Sequence, residues 1–128
     1  MISIWSVYHI PLCCHAKPKP KNKFVVIFYT DPEPHGFFIN STINNFIKNR
    51  PYLLKCEPVI NKLDHNFLSH SSYVDCRDAL KFHPKDLTDF RGVLSIQAQK
   101  EVTDAIMACP VLSRKHKKRF KSNIQSMR

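Results

Sequence analysis

The sequence predicts a mainly β fold, a small and strongly bent β-barrel with an α-helix packed against it. Three observations lead there. Short apolar runs of strand length recur through the first eighty residues. Only one segment, Leu94 to Cys109, repeats its apolar residues at intervals of three and four. The chain has 128 residues, 43% of them apolar, which suits one domain with a real core and leaves little room for a βαβ fold.

The elements follow in order. Ser3 to Ile10 alternates loosely through Ile4, Trp5, Val7, Tyr8 and Ile10, a β pattern expected to end at Pro11. Lys-Pro-Lys-Pro-Lys at 17–21 blocks both helix and ladder and reads as an exposed, extended loop. Phe24 to Tyr29 is a continuous apolar run, expected to be buried on both faces. Asp31 to Gly36 turns the chain, and Phe37 to Ile39 resumes, so 24–39 reads as a hairpin. Asn40 to Asn45 is a polar loop. Tyr52 to Cys56 reads as a short strand, and Pro58 to Leu68 as a loop with one helical turn near Asp64. Ser72 to Cys76 is a strand, and Ala79 to Phe82 continues it or pairs nearby. Pro84 to Arg91 is a loop.

The helix comes next. Leu94, Ala98, Val102, Ala105, Ile106 and Cys109 lie on one face, with Ser95 as N-cap and Pro110 beyond the end. Ser113 to about Phe120 is a second helical segment with a frayed end. The division expected is a barrel domain over 1–112 and a basic tail over 113–128.

The net charge is +10, and it is segregated. Ser113 to Arg128 carries seven basic residues and no acid, and Lys17, Lys19, Lys21 and Lys23 add four in one stretch, so the rest sums to −1. Such segregation suits a polyanion, because phosphates gain affinity from released counterions. The five cysteines are odd in number and form no C-x-x-C pair, which points to reduced, packed thiols in a cytosol rather than to zinc. Met1 to Val7 lacks a secretory signal, and no apolar run is long enough to span a bilayer. These features lead to the expectation of a cytoplasmic protein with no membrane partner and no cofactor.

Several segments, taken together and in order, carry a resemblance. Ser6-Val7-Tyr8-His9-Ile10-Pro11 looks like a first strand. Lys23-Phe24-Val25-Val26-Ile27 stands at an Arg-Pro and β run, and Phe37-Phe38-Ile39-Asn40-Ser41-Thr42 at a strand ending in Thr. Ser72-Tyr73-Val74-Asp75-Cys76-Arg77 is similar to a Ser-x-Val-x-Cys-Asp segment, and Gly92-Val93-Leu94-Ser95 to the Gly-x-Leu-Ser that opens a final helix. Over roughly residues 4 to 110 the chain thus resembles the MazF/PemK family of toxin ribonucleases, as a divergent member.

The resemblance implies an SH3-like barrel with a C-terminal helix. It implies the toxin of a type II toxin–antitoxin system, a metal-independent endoribonuclease cleaving single-stranded RNA, with a cognate antitoxin protein and a homodimer. In such a reaction the ribose 2′-hydroxyl attacks the adjacent phosphate. The protein supplies a base, a cation for the phosphorane and an acid for the leaving oxygen.

Thr42 stands at the family's catalytic Thr and Lys23 at its catalytic Arg. Lys23 offers a point charge without the guanidinium fork, and Lys21 is its nearest substitute. His65 is the third catalytic candidate, since imidazole titrates near neutral pH; His70, His9 and His35 rank below it. Asn40 and Asn44 are candidates for reading base edges. Asp75 and Arg77 invert the family's Arg-Cys-Asp order, yet strand alternation keeps both on one face. The competing readings are an inactive RNA-binding barrel of the same fold and a basic protein-interaction module.

Overall fold

Alternation and turn chemistry produce seven strands in the computed structural model, which describes residues 2–127. They are β1 (Ser6–Cys13), β2 (Lys21–Tyr29), β3 (His35–Asn40), β4 (Val59–Ile60), β5 (Ser72–Val74), β6 (Leu80–Lys81) and β7 (Phe90–Val93). All pairings are antiparallel, in the order β4-β5-β3-β2-β1-β7, with β6 also pairing β3. The helices are α1 (Asn45–Lys48), α2 (Pro51–Leu54), α3 (Ile96–Ala108) and α4 (Arg114–Ser126). The sheet curls into a half-barrel, mainly β as expected, and the helices after β7 lie at the C-terminal end of the chain.

The predicted hairpin is β2 and β3, in register through Val26 opposite Phe37. Val25 through Tyr29 are all fully buried, so the apolar run serves both faces of the sheet. Val26, Phe28 and Phe37 enter the larger core with α3. Val25 and Ile27 enter a smaller core on the other face, with Tyr8, Ile10, Phe82 and Leu87. Gly36 is held at a close crossing, where a Cβ would stand 2.7 Å from the Val26 carbonyl oxygen. The helix α3 begins and ends as predicted, its Ser95 hydroxyl accepting from the Ala98 N–H at 3.1 Å.

Four local expectations are corrected. The first strand passes through Pro11 to Cys13, because a register shift between Ile10 and Cys13 removes the need for a proline N–H. Leu12 takes a φ of 47° there, and its N–H donates to Asn22 Oδ1 at 3.0 Å. The segment read as a strand at 52–56 is instead helical over Pro51–Leu54, since Pro51 sits at the first position, where its missing donor costs nothing. β4 falls inside a stretch read as a loop and β7 begins in another; each is short and carries no clean alternation.

The last correction concerns the basic segment. It forms thirteen residues of helix capped by Ser113, and it packs rather than frays. Phe120 is buried in the main core, edge-on to Trp5 at 5.7 Å and 6.0 Å from Phe28. Asn123 clamps the end of β2: its Oδ1 accepts from the Thr30 and Asp31 N–H groups at 3.0 and 3.1 Å, and its amide donates to the Asp31 carbonyl. Arg128, the last cation of the tail, lies outside the described residues.

Candidate functional site

Sheet register builds the site. Phe24 opposite Ile39 sets the β2–β3 register, and one step further Lys23 faces Asn40, whose Oδ1 accepts a hydrogen bond from the Lys23 ammonium. Lys23 also lies over the Phe38 ring, 4.7 Å from its centroid. Beyond β3, the Asp75 N–H donates to the Phe38 carbonyl at 2.9 Å, so Asp75 continues the row started by Phe38. Arg77, two residues on, folds back over Asp75. Its Nε donates to Asp75 Oδ1 and its Nη2 to Oδ2, both at 3.0 Å. The inverted acid–base order therefore makes a bidentate pair.

The row extends one strand further, to a residue that composition and spacing offer no reason to select. Val59 faces Tyr73 and Ile60 faces Ser72. Val74 N–H donates to the Pro58 carbonyl and Cys76 N–H to the Cys56 carbonyl, both at 3.0 Å, which carries that register on. Glu57 is thereby set directly opposite Asp75, between two hydrogen-bonded pairs, the position where facing side chains come closest. The Glu57 side chain is only 1% exposed, and its Oε2 lies 3.6 Å from Arg77 Nε with no hydrogen-bond partner. That contact is an ion-pair distance, too long for a hydrogen bond. The only sequence signal was an acid beside Pro58, between a segment read as a strand and one read as a loop.

These groups line one cleft of about 430 Å³: Lys17, Lys21, Asn22, Lys23, Asn40, Ser41, Thr42, Asn44, Ile47, Glu57, Asp75 and Arg77. The cleft thus gathers Thr42, Lys23, Lys21, Asn40, Asn44, Asp75 and Arg77, seven of the eight residues singled out from the sequence. Thr42 is exposed on the loop after β3. Asn44 caps α1 by accepting from the Ile47 N–H at 2.9 Å, and Asn40 already holds Lys23, so each asparagine offers a ligand its NH2 donor.

His65 is placed elsewhere. It is 2% exposed, its Nδ1 donates to the Asn61 carbonyl at 2.7 Å, and its Nε2 accepts from the Ser95 N–H at 3.0 Å. It ties the turn at 61–65 to the start of α3. His70 lines an adjoining hollow of about 250 Å³ that shares Asn22, Lys23 and Ser41 with the cleft. His9 pairs with Asp89 at 3.5 Å, and His35 stacks on Tyr29. Another hollow of about 440 Å³ mixes Ile10, Pro11, Leu12 and Phe82 with Lys81 and Asp86 and contains no arginine.

The electrostatics follow from burial. Burial pulls the Lys23 ammonium below its ordinary value, and the neighbouring Lys21 charge adds to this, partly offset by Asp75. Burial, with the Asp75 carboxyl facing it, pushes Glu57 up to about 9. Arg77 is raised overall: burial opposes its charge, but the Asp75 hydrogen bonds, with Asp75 and Glu57 nearby, win. At neutral pH the cleft holds Lys17, Lys21, Lys23 and Arg77 against the single charge of Asp75. It is a cationic groove. The cations of α4 lie apart from it: Thr30, where Asn123 holds that helix, is seven residues along β2 from Lys23, about 23 Å at the usual rise.

The fold and this cationic groove define a small antiparallel half-barrel with a basic cleft. More particularly, the chain has the fold of MazF toxins. It superposes with a TM-score of 0.60 on a structure described as the Mycobacterium tuberculosis toxin MazF-mt6, at 18% identity, over 84% of this chain and 98% of that one. A second structure, an endoribonuclease in complex with its cognate antitoxin from mycobacterial species, gives a TM-score of 0.60 at 11% identity, over 85% and 94% of the two chains. No family model and no curated protein sequence matches the chain.

Proposed function

We propose that this protein is the toxin of a type II toxin–antitoxin system and cleaves single-stranded RNA at the cleft between β2, β3 and β5. The observation that carries the reading is the convergence of Lys21, Lys23, Thr42, Asp75 and Arg77 on one groove in a chain of this fold. The two adjoining hollows give room for successive nucleotides on either side of Lys23. A single strand suits the groove, because unstacked bases leave their edges to donors such as the Asn40 and Asn44 amides.

In this reading the scissile phosphate sits among Lys23, Thr42 and Arg77. The 2′-oxygen attacks phosphorus, and negative charge grows on the non-bridging oxygens. Arg77 supplies the planar fork that Lys23 lacks, and the Asp75 carboxylate holds that fork in place. Lys23, fixed by Asn40 and Phe38, adds a second charge from the opposite strand. The Thr42 hydroxyl donates to a phosphate oxygen. His65 has no part in this arrangement, since both ring nitrogens are spent on backbone groups.

The expected protein partners are a cognate antitoxin and a second copy of the chain. The edge strand β7 supports this, because Phe90, Val93 and the following Ile96 are 55%, 50% and 80% exposed. No helix among the described residues is long and apolar enough to cross a membrane. Induced expression in a bacterium, beside Thr42→Ala and Lys23→Ala variants, tests the reading. Growth arrest with fragmented cellular RNA, relieved by either substitution, is the expected result. Normal growth with intact RNA under wild-type expression would refute it.

A further inference from the structure

The β4–β5 register leaves a buried carboxyl, Glu57, facing Asp75 across the sheet, with one guanidinium between two acids. Two carboxylates at facing positions, sharing Arg77, do not both ionise in a site that excludes water from one of them. Glu57 is the member that keeps the proton. Its side chain is 1% exposed against 13% for Asp75, its Oε2 is unpartnered, and Arg77 spends both parallel bonds on Asp75. Facing carboxyls whose environments differ this much divide into a proton holder and an ionised partner.

We infer that Glu57 and Asp75 form a proton-sharing pair that supplies the acid for RNA cleavage. This rests on the endoribonuclease reading and assigns a role to a residue that reading leaves unused. Asp75 is the catalytic residue that touches substrate. Glu57, behind it, is a positioning residue that stores the proton and passes it forward. In the step, the 2′-oxygen–phosphorus bond forms and the phosphorus–5′-oxygen bond breaks. The electron pair of the broken bond goes to the 5′-oxygen, which takes the proton of the pair through Asp75. The 2′-hydroxyl proton leaves to water, and the emptied pair, still held by Arg77, is refilled from water. The carboxyl raised to about 9 keeps this acid loaded at neutral pH.

The test compares wild-type protein with Glu57→Gln, which keeps the shape and a donor but has no proton to give. Single-turnover cleavage is measured on RNA with an ordinary 5′-oxygen leaving group and on RNA with a bridging 5′-sulfur, whose thiolate leaves without protonation. On the oxygen substrate the variant is expected to lose about 10²–10⁴-fold, the usual size of an acid contribution. On the sulfur substrate it is expected to stay within a few-fold of wild type. A non-cleavable 2′-O-methyl RNA is expected to bind both proteins alike.

Equal losses on oxygen and sulfur substrates would make Glu57 merely structural and overturn the inference. So would full activity of the variant on oxygen. If Glu57→Gln does not fold, the wild-type protein alone decides. Its rate on oxygen should fall more steeply than its rate on sulfur as pH climbs past about 9, because the loss of the Lys23 charge is common to both substrates and cancels in their ratio. Parallel pH profiles would again overturn the inference. Absence of any RNA cleavage by folded wild type is a different result, because it removes the endoribonuclease reading and this inference together.

Discussion

Replacing His65 with alanine separates a latch from a site residue. The imidazole is 2% exposed and bonded at both nitrogens to backbone groups thirty-four residues apart, Asn61 and Ser95. Its ring also meets Phe67 edge-on at 5.7 Å. Removing it leaves the Asn61 carbonyl and the Ser95 N–H unpaired, at about 1–3 kcal/mol for each group that stays dry. Some water entry and relaxation reduce this, and the vacated ring space adds to it, so about 2–5 kcal/mol is expected. For a chain of this length about 1 kcal/mol moves the midpoint by about 3–5 °C, so melting should fall by about 6–25 °C. Circular dichroism melts give that number. Cleavage is then measured well below the variant's midpoint and corrected for the folded fraction, and it should stay within a few-fold of wild type. A variant that melts within about 2 °C of wild type yet loses about 100-fold in cleavage would refute the argument and return His65 to the chemistry.

Three further outcomes follow from the geometry. Phe120→Ala should cost about 3–5 kcal/mol in denaturant unfolding, because the ring is buried between Trp5 and Phe28; an unchanged midpoint would mean that α4 is a loose tail. Glu57 binds its proton more tightly in the folded chain than in the unfolded one. Its contribution to stability is full below the ordinary carboxylate range and is lost as pH rises to about 9, so Glu57→Gln should gain on wild type steadily across that window in urea titrations. Burial holds His35 and His116 below their ordinary values and acts in the opposite sense, and comparing the two proteins cancels it. For an oligonucleotide of a few nucleotides, Lys21→Gln should flatten the dependence of log affinity on log salt by about 0.7, whereas Lys118→Gln on α4 should leave the slope unchanged.

Elements with a strong period or a continuous apolar run were legible from composition and spacing. The β2–β3 hairpin and α3 appear where Phe24 to Tyr29 and the Leu94 to Cys109 stripe place them. What misled was local chemistry that tertiary contacts overrule. Pro11 reads as a stop, but a bulge accommodates it inside β1. The residues Tyr52 to Leu54 favour a strand by propensity, but Pro51 opens a helical turn there and Leu53 is buried. The basic residues of 114–121 read as solvated tail, because one aromatic at Phe120 and one amide at Asn123 are too few to show a packed face.

The site was legible in a similar, uneven way. Lys23, Asp75 and Arg77 could be named because they stand in segments that carry the family resemblance; the strand expected over 72–76 ends at Val74, and Arg77 reaches Asp75 by folding back from the turn beyond it. Glu57 could not, because its position depends on a pairing of two-residue and three-residue strands separated by eleven residues. No local pattern encodes that register. It is set where Pro58 gives its carbonyl to Val74 and Cys56 gives its own to Cys76, while Ile60, Val74 and Cys76 fill the core beneath. A shift of the pairing by one residue would turn Glu57 and its neighbours to the opposite face and expose the core residues Ile60 and Cys56. The same core packing that fixes the strand therefore fixes the Glu57 carboxyl opposite Asp75, so the hydrophobic core sets the place of the buried carboxyl in the cleft.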